Sequence, residues 1–386
     1  MADAAAMTKL AEIILKRIRS RGDITFASFM ESALYEPDLG YYTSPGRKVG
    51  AEGDFYTSMN VHSAFGRLIS REIGRFWELL DSPASFTIAE AGAGGGQLAQ
   101  DILDAIAQEN PNLYGTLTYR LIEKEPTLQQ AQAARLERHA ERLAWSSPQE
   151  LADAELSFTG CIISNELFDA MPVHLVEMTD EGLKEVFVSA DANGFRERFL
   201  PPSSPELAAY LQKFEVRLMP GQRAEINLAA PAWIASAARA LERGFVLTVD
   251  YGYLTEELYT PQRRNGTLLC YHKHTTNEDP YQLVGEQDIT THINFSALIE
   301  AGNEQGLEKV WYGEQYRFLL GVGLLEELMR MEAQAKDEQE SLKHRLAIKK
   351  LMLPEGGMGD TFKVLIQAKG VHNPQLLCMR KWGMGL

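Results

Sequence analysis

Glu90, Gly92, Gly94 and Gly96 recur at every second position within the stretch IAEAGAGGGQLAQ, Ile88 to Gln100. Glycine adopts positive φ without strain and lets a ligand approach the backbone. A glycine-rich turn that opens a helix therefore presents N–H groups to something bound. The spacing selects among ligands. A dinucleotide fingerprint needs Gly or Ala at the sixth position from Gly92, where this chain has Gln97. The Gly-Lys-Ser/Thr ending of a phosphate loop is absent. Glu90 would repel a pyrophosphate, whereas it suits a ligand that carries a cationic amino group. Glycines alone also make bare tight turns, so the loop by itself leaves ligand binding and a plain turn evenly matched.

Further polar groups stand at comparable places. Glu123 closes the apolar-alternating YRLIE, where a carboxylate can take both hydroxyls of a ribose, although a solvated strand-end Glu fits as well. Asn165 and Glu166 follow an apolar run in SNELFDAMPVH, and polar groups at a buried strand end are costly without partners. Asn165 could instead cap a helix over ELFDAM. In such a helix Asp169, three residues on, would share a face with Glu166. WSSPQEL, Trp145 to Leu151, falls where an adenine contact would lie, or is an ordinary loop. Asp250 and Tyr251 end another apolar run, as substrate contacts or as packing residues. Cys270, His272 and His274 alternate in CYHKH and could gather a metal with His292. No ligand pair has zinc spacing, so a polar loop without metal is the expectation.

These positions need a scaffold. FTIAEAG reads as a strand, GQLAQDILDAIAQEN as a helix ended by Pro111, and TLTYRLIE as a strand. A helix with Pro126 in its first turn follows. A weak strand near Leu143 to Trp145, then GCIISN and GFVLTVDYGY, continue the alternation. Strands alternating with helices imply an α/β fold with a parallel sheet covered on both faces. FKVLIQAKG is the last strand, expected to pair with LEKVWYGE. Residues 173–222 break the pattern as antiparallel strands turning at Asp180–Gly182 and Asp191–Gly194.

The expected organisation is a helical region over residues 1–80 and a sheet domain over 81–386, with an insertion at 173–222 and a charged helical segment at 325–350. Within the first region, Tyr35 to Ser58 is too long for an ordinary loop and too aromatic for disorder, so it should cover a pocket. The 386 residues suit roughly two units. A net charge of −15 disfavours nucleic acid and suits a basic protein segment. Three cysteines without CxxC spacing, an amphipathic N-terminal helix in place of a signal pattern, and no apolar run near ~20 residues predict a cytoplasmic protein without a membrane span.

GDFYTS, EAGAGGGQLAQDIL, SNELFDAMPVH, TVDYGY and DITTHINFSAL, in this order, resemble the family of mitochondrial complex I assembly-factor arginine methyltransferases and its bacterial relatives. The resemblance covers nearly the whole chain. The glycine loop is shared with all class I methyltransferases, whereas NELFDAMPVH and DITTHINFS are specific to the family. It implies a Rossmann-like, seven-stranded, mostly parallel sheet with a helical N-terminal region and an inserted antiparallel element. It implies S-adenosylmethionine as cofactor, held by Glu90, Gly92, Gly94, Gly96 and Glu123, with Tyr56 and Thr57 closing over the methionine end. It implies a protein substrate, an arginine of a complex I subunit for the mitochondrial member. Glu166 would grip the guanidinium, with Asp169 and Asn165 in support. Eukaryotic members are mitochondrial and bacterial ones cytoplasmic, and a homodimer is compatible. Many relatives carry Pro and Arg in the glycine loop where this chain has GAGGGQ, which puts any role of that Arg in doubt. Methylation of a small molecule or of another side chain, and a cofactor-binding scaffold without catalysis, are the alternatives.

Overall fold

The computed structural model describes residues 7–44, 63–273, 275–352 and 362–380. The chain forms two compact units. One comprises residues 56–167, 232–251 and 298–386, the other residues 1–55, 168–231 and 252–297.

The larger unit is built on seven strands: β1 (Phe86–Ala91), β2 (Leu117–Ile122), β3 (Leu143–Ser146), β4 (Phe158–Asn165), β5 (Leu241–Tyr253), β6 (Glu308–Glu314) and β7 (Phe362–Lys369). Their order is β3-β2-β1-β4-β5-β7-β6. β1 to β5 run parallel, and β7 runs antiparallel to both of its neighbours. All six residues of β1 are buried, as a parallel strand covered on both faces requires. Strand order reverses between β1 and β4, and in open α/β sheets ligands bind outside the carboxyl ends of strands at such a reversal. Helices α1 (Ala64–Leu79), α2 (Gln97–Glu109) and α3 (Pro126–Arg135) pack in this unit. α1 and α2 approach closely because Gly66 has no side chain: a Cβ there would lie 2.4 Å from Asp101 Cβ. Asn110 caps a short further helix, Pro111–Thr116. The charged segment forms two helices, Leu324–Gln334 and Glu338–Met352.

The smaller unit carries a five-stranded antiparallel sheet. Three of its strands, His174–Thr179, Gly182–Asp191 and Gly194–Leu200, are the expected insertion, and Ile24–Thr25 and Arg223–Ile226 extend it. Helices Lys9–Arg21 and Phe26–Tyr35 bury Leu10, Ile14, Ile18, Phe26 and Phe29 in one core with Val186 and Val188. A division at residue 80 is therefore corrected. The first two helices need a partner for their apolar faces and find it on the inserted strands, whereas Ala64–Leu79 belongs to the larger unit. Cys270 lies in the same core, where burial pushes its thiol up to about 12. His274 lies outside the described residues. Among the described residues, no helix is long and apolar enough to cross a membrane.

Candidate active site

The turn after β1 explains its own glycines. Gly92, Gly94 and Gly96 have φ of 72°, 49° and 79°, in the left-handed region that L side chains avoid. Gly92 is also crowded, since a Cβ there would stand 3.1 Å from Leu167 Cδ1. Gly95 is the opposite: a Cβ there would meet nothing within 4 Å. The loop thus has a packed side at Gly92 and an open side at Gly95, where a ligand could approach the backbone.

Glu90, 2% exposed, precedes this turn, and its Oε2 accepts a hydrogen bond from the Tyr119 hydroxyl at 2.6 Å. Burial pushes the Glu90 carboxyl up to about 7, against the opposing pull of Tyr119. A cationic ligand group beside it would favour its ionised form. Ala91 pairs in register with Ile122, so Glu123 stands level with Gly92 at the next strand end. The Glu123 N–H donates to Ser146 O at 2.8 Å, and its Oε1 accepts from the Glu125 N–H at 2.9 Å. Burial raises its carboxyl as well. Trp145 sits on β3, and its indole N–H donates to Gln132 Oε1 at 2.9 Å. The rest of WSSPQEL is a capping box: Ser147 and Glu150 cap the helix Pro148–Ala152 reciprocally. Tyr56 and Thr57 lie outside the described residues.

The end of β4 differs from the expected helix start. Glu166 has φ 52°, a left-handed value that a right-handed helix cannot include, and no helix forms over residues 166–171. No helix starts there for Asn165 to cap, and its Nδ2 donates to Glu166 Oε1 at 3.1 Å. The Tyr251 hydroxyl donates to Glu166 Oε2 at 3.2 Å. Asp250 supports this corner, accepting the Leu167 N–H at 3.2 Å and the Tyr251 N–H at 2.8 Å. Ala91 is in register with Ser164, and Leu167 packs on Gly92, so Glu166 lies beside the glycine loop. The expectation that Asp169 shares a helix face with Glu166 fails with the helix. Asp169 belongs to the smaller unit, where its carbonyl accepts the Thr291 N–H at 3.0 Å.

Reading the sequence missed Tyr119 and Gln132. Tyr119 had a signal: it alternates with Leu117 and Leu121 on the buried face of β2, and a buried hydroxyl needs a partner. Gln132 had none.

The strand order with its single reversed strand, the acid ahead of the glycine turn and a second acid at the β2 end define a class I S-adenosylmethionine-dependent methyltransferase. Residues 68–313 match the family described as "Putative S-adenosyl-L-methionine-dependent methyltransferase", and the chain belongs to that family. It is similar to the "Protein arginine methyltransferase NDUFAF7 homolog, mitochondrial" of Drosophila melanogaster, 27% identical over 94% of this chain and 85% of that protein. The Rattus norvegicus protein of the same name, without "homolog", is 28% identical over 84% of this chain and 76% of its own. A crystal structure from Burkholderia thailandensis, called a "likely methyl transferase" and bound to S-adenosyl-homocysteine, is 32% identical with a TM-score of 0.84, covering 96% of this chain and 94% of that one. The methyl donor is S-adenosylmethionine. The residues present are compatible with it: glycines whose backbone is open to a ligand at Gly95, the buried Glu90 carboxylate near them, and Glu123 at the neighbouring strand end.

Proposed function

We propose that this methyltransferase acts on an arginine side chain of a partner protein, for which the family resemblance implies a complex I-type subunit. One observation carries the reading. At the end of β4, beside the glycine loop, the Glu166 carboxylate is held at both oxygens, by Asn165 and by Tyr251, on a backbone in a sparsely populated conformation. A carboxylate accepts about four hydrogen bonds, so such a hold is compatible with bidentate recognition of a guanidinium. The Drosophila melanogaster and Rattus norvegicus relatives are arginine methyltransferases by name, and the net charge of −15 suits a basic partner.

S-adenosylmethionine, when bound, supplies an electrophilic methyl group on a sulfonium. Glu90 and the glycine loop would hold its amino-acid end and Glu123 its ribose. Glu166 would do the rest. A guanidinium is a poor nucleophile because it is charged and delocalised, with a pKa above about 12. Accepting two of its N–H groups localises a lone pair on the attacking nitrogen and aligns it with the methyl carbon. The nitrogen would gain the C–N bond as the methyl–sulfur bond breaks, with S-adenosylhomocysteine leaving as the neutral thioether, and would give up one proton, which Glu166 takes and passes to solvent.

The test is transfer of labelled methyl from S-adenosylmethionine into a lysate of cells that lack this protein. Wild type should label a protein band as methylarginine. Glu166→Gln should bind S-adenosylhomocysteine normally and lose about 10²–10⁴ in rate. Label in another amino acid, or in the small-molecule fraction, would overturn the arginine reading, and an unimpaired Glu166→Gln would remove Glu166 from the chemistry.

A further inference from the structure

We propose that Gln132 is a positioning residue of the cofactor site: it fixes the peptide orientation of the glycine loop, which then receives S-adenosylmethionine. The inference rests on the cofactor assignment above and not on the identity of the methyl acceptor.

The first observation is where α3 spends its buried surface. Helices usually dock through an apolar stripe. In Pro126–Arg135 the buried residue is Gln132, 0% exposed. Burying a primary amide is costly unless its hydrogen bonds are made, and a leucine of similar size would dock a helix without that demand. Here both ends of the amide are used. Nε2 donates to Gly94 O at 2.8 Å, and Oε1 accepts the Trp145 indole N–H at 2.9 Å. One side chain therefore ties the glycine loop to the end of β3.

The second observation is what the Gly94 carbonyl controls. A trans peptide is planar, with its C=O and N–H on opposite sides. Holding Gly94 O toward Gln132 turns the Gly95 N–H the other way. Gly95 is also the loop residue whose added Cβ would meet open space. Glycine populates positive and negative φ about equally, so a run of three glycines, Gly94 to Gly96, does not fix its own peptide planes. The Gly96 N–H closes the turn on Ala93 O at 2.8 Å, but such a bond fits either orientation of the central Gly94–Gly95 peptide, and the Gln132 amide selects one of them. α3 repeats the device one turn earlier, where Gln129 Nε2 donates to Glu123 O at 2.8 Å. The same helix thereby steadies the strand end that carries the ribose-side acid.

The experiment is calorimetric titration with S-adenosylhomocysteine, run well below each variant's melting temperature. Gln132→Leu keeps the bulk and loses both hydrogen bonds, and its affinity should fall about tenfold or more. Gln132→Glu gives a signature that a merely structural role would not. The ionised side chain still accepts from Trp145 but cannot donate to Gly94 O; once protonated, it can. The ratio of its affinity to that of wild type should therefore be low at alkaline pH and recover toward one as pH falls. Glu90 and Glu123 titrate in both proteins, so the affinity is read as a ratio to wild type at each pH. Gln132→Leu within twofold of wild type, or a ratio for Gln132→Glu that is flat with pH, would overturn the proposal. If Gln132→Leu does not fold, the pH series of Gln132→Glu decides alone. Wild type that failed to bind would be a different result, overturning the cofactor assignment beneath the inference.

Discussion

Glu90 shows what a single residue type can and cannot disclose. Its place two positions before Gly92 was enough to suggest a cationic ligand, because sign and spacing are written in the sequence. Its proton affinity was not, because burial raises it and the Tyr119 hydroxyl, brought across from β2, only partly offsets that rise. With the carboxyl raised from 4.5 to about 7, the folded chain holds a proton that the unfolded chain has released between those two values. By linkage, stability contributed by this group is greatest at the acid end of that window and declines as pH rises toward 7. A cationic ligand favours the ionised form, so binding should expel a proton below pH 7 and tighten as pH rises. Titrations of S-adenosylhomocysteine in buffers of different ionisation enthalpy measure that proton directly. Glu90→Gln should abolish its release and flatten the pH dependence of affinity. Proton release unchanged in Glu90→Gln would place the titrating group elsewhere.

Among elements, β4 is the one on which the site depends, and it was only half legible. GCIISN announced a buried strand, and the parallel sheet followed from alternation with helices. The run ELFDAM has helix-forming residues, yet the chain turns instead, because Glu166 takes a left-handed φ and Phe168 begins the smaller unit. Local propensity cannot report such a constraint. The closeness of β4 to its neighbours was equally hidden. A Cβ on Gly160 would lie 1.9 Å from Thr87 O on β1, and one on Gly244 of β5 would lie 2.0 Å from Gly160 O. The obstacles are backbone atoms, so rotamer changes give no relief. Gly160→Ala should therefore cost at least about 1–3 kcal/mol, the usual range for overpacking. Denaturant unfolding is the check. The strain sits at the start of β4, away from Asn165 and Glu166, so the folded fraction should still bind S-adenosylhomocysteine with wild-type affinity. A midpoint equal to that of wild type would show that the strands separate there without cost.

On the scale of the whole molecule, the chain passes between its two units several times, and this is what a linear reading loses. Periodicity reports which face of a helix is apolar but not which distant segment covers it. The faces of Lys9–Arg21 and Phe26–Tyr35 are covered by strands about 150 residues further on. The candidate cofactor groups among the described residues do not share this dispersal: Glu90, Gly92, Gly94, Gly96, Glu123 and Gln132 all belong to the larger unit. Ligand binding stabilises the states that bind, and local opening of segments that hold the ligand is suppressed most. Hydrogen exchange with and without S-adenosylhomocysteine should therefore slow in β1, the glycine loop, the end of β2 and α3. The strands His174–Thr179, Gly182–Asp191 and Gly194–Leu200 should exchange at unchanged rates. Gln132→Leu at saturating ligand should lose protection first at Gly95, whose N–H direction it no longer sets. Equal slowing in the inserted strands would overturn the assignment of the cofactor groups to the larger unit alone, and protection of α3 without the glycine loop would separate the helix from the role given to its buried amide.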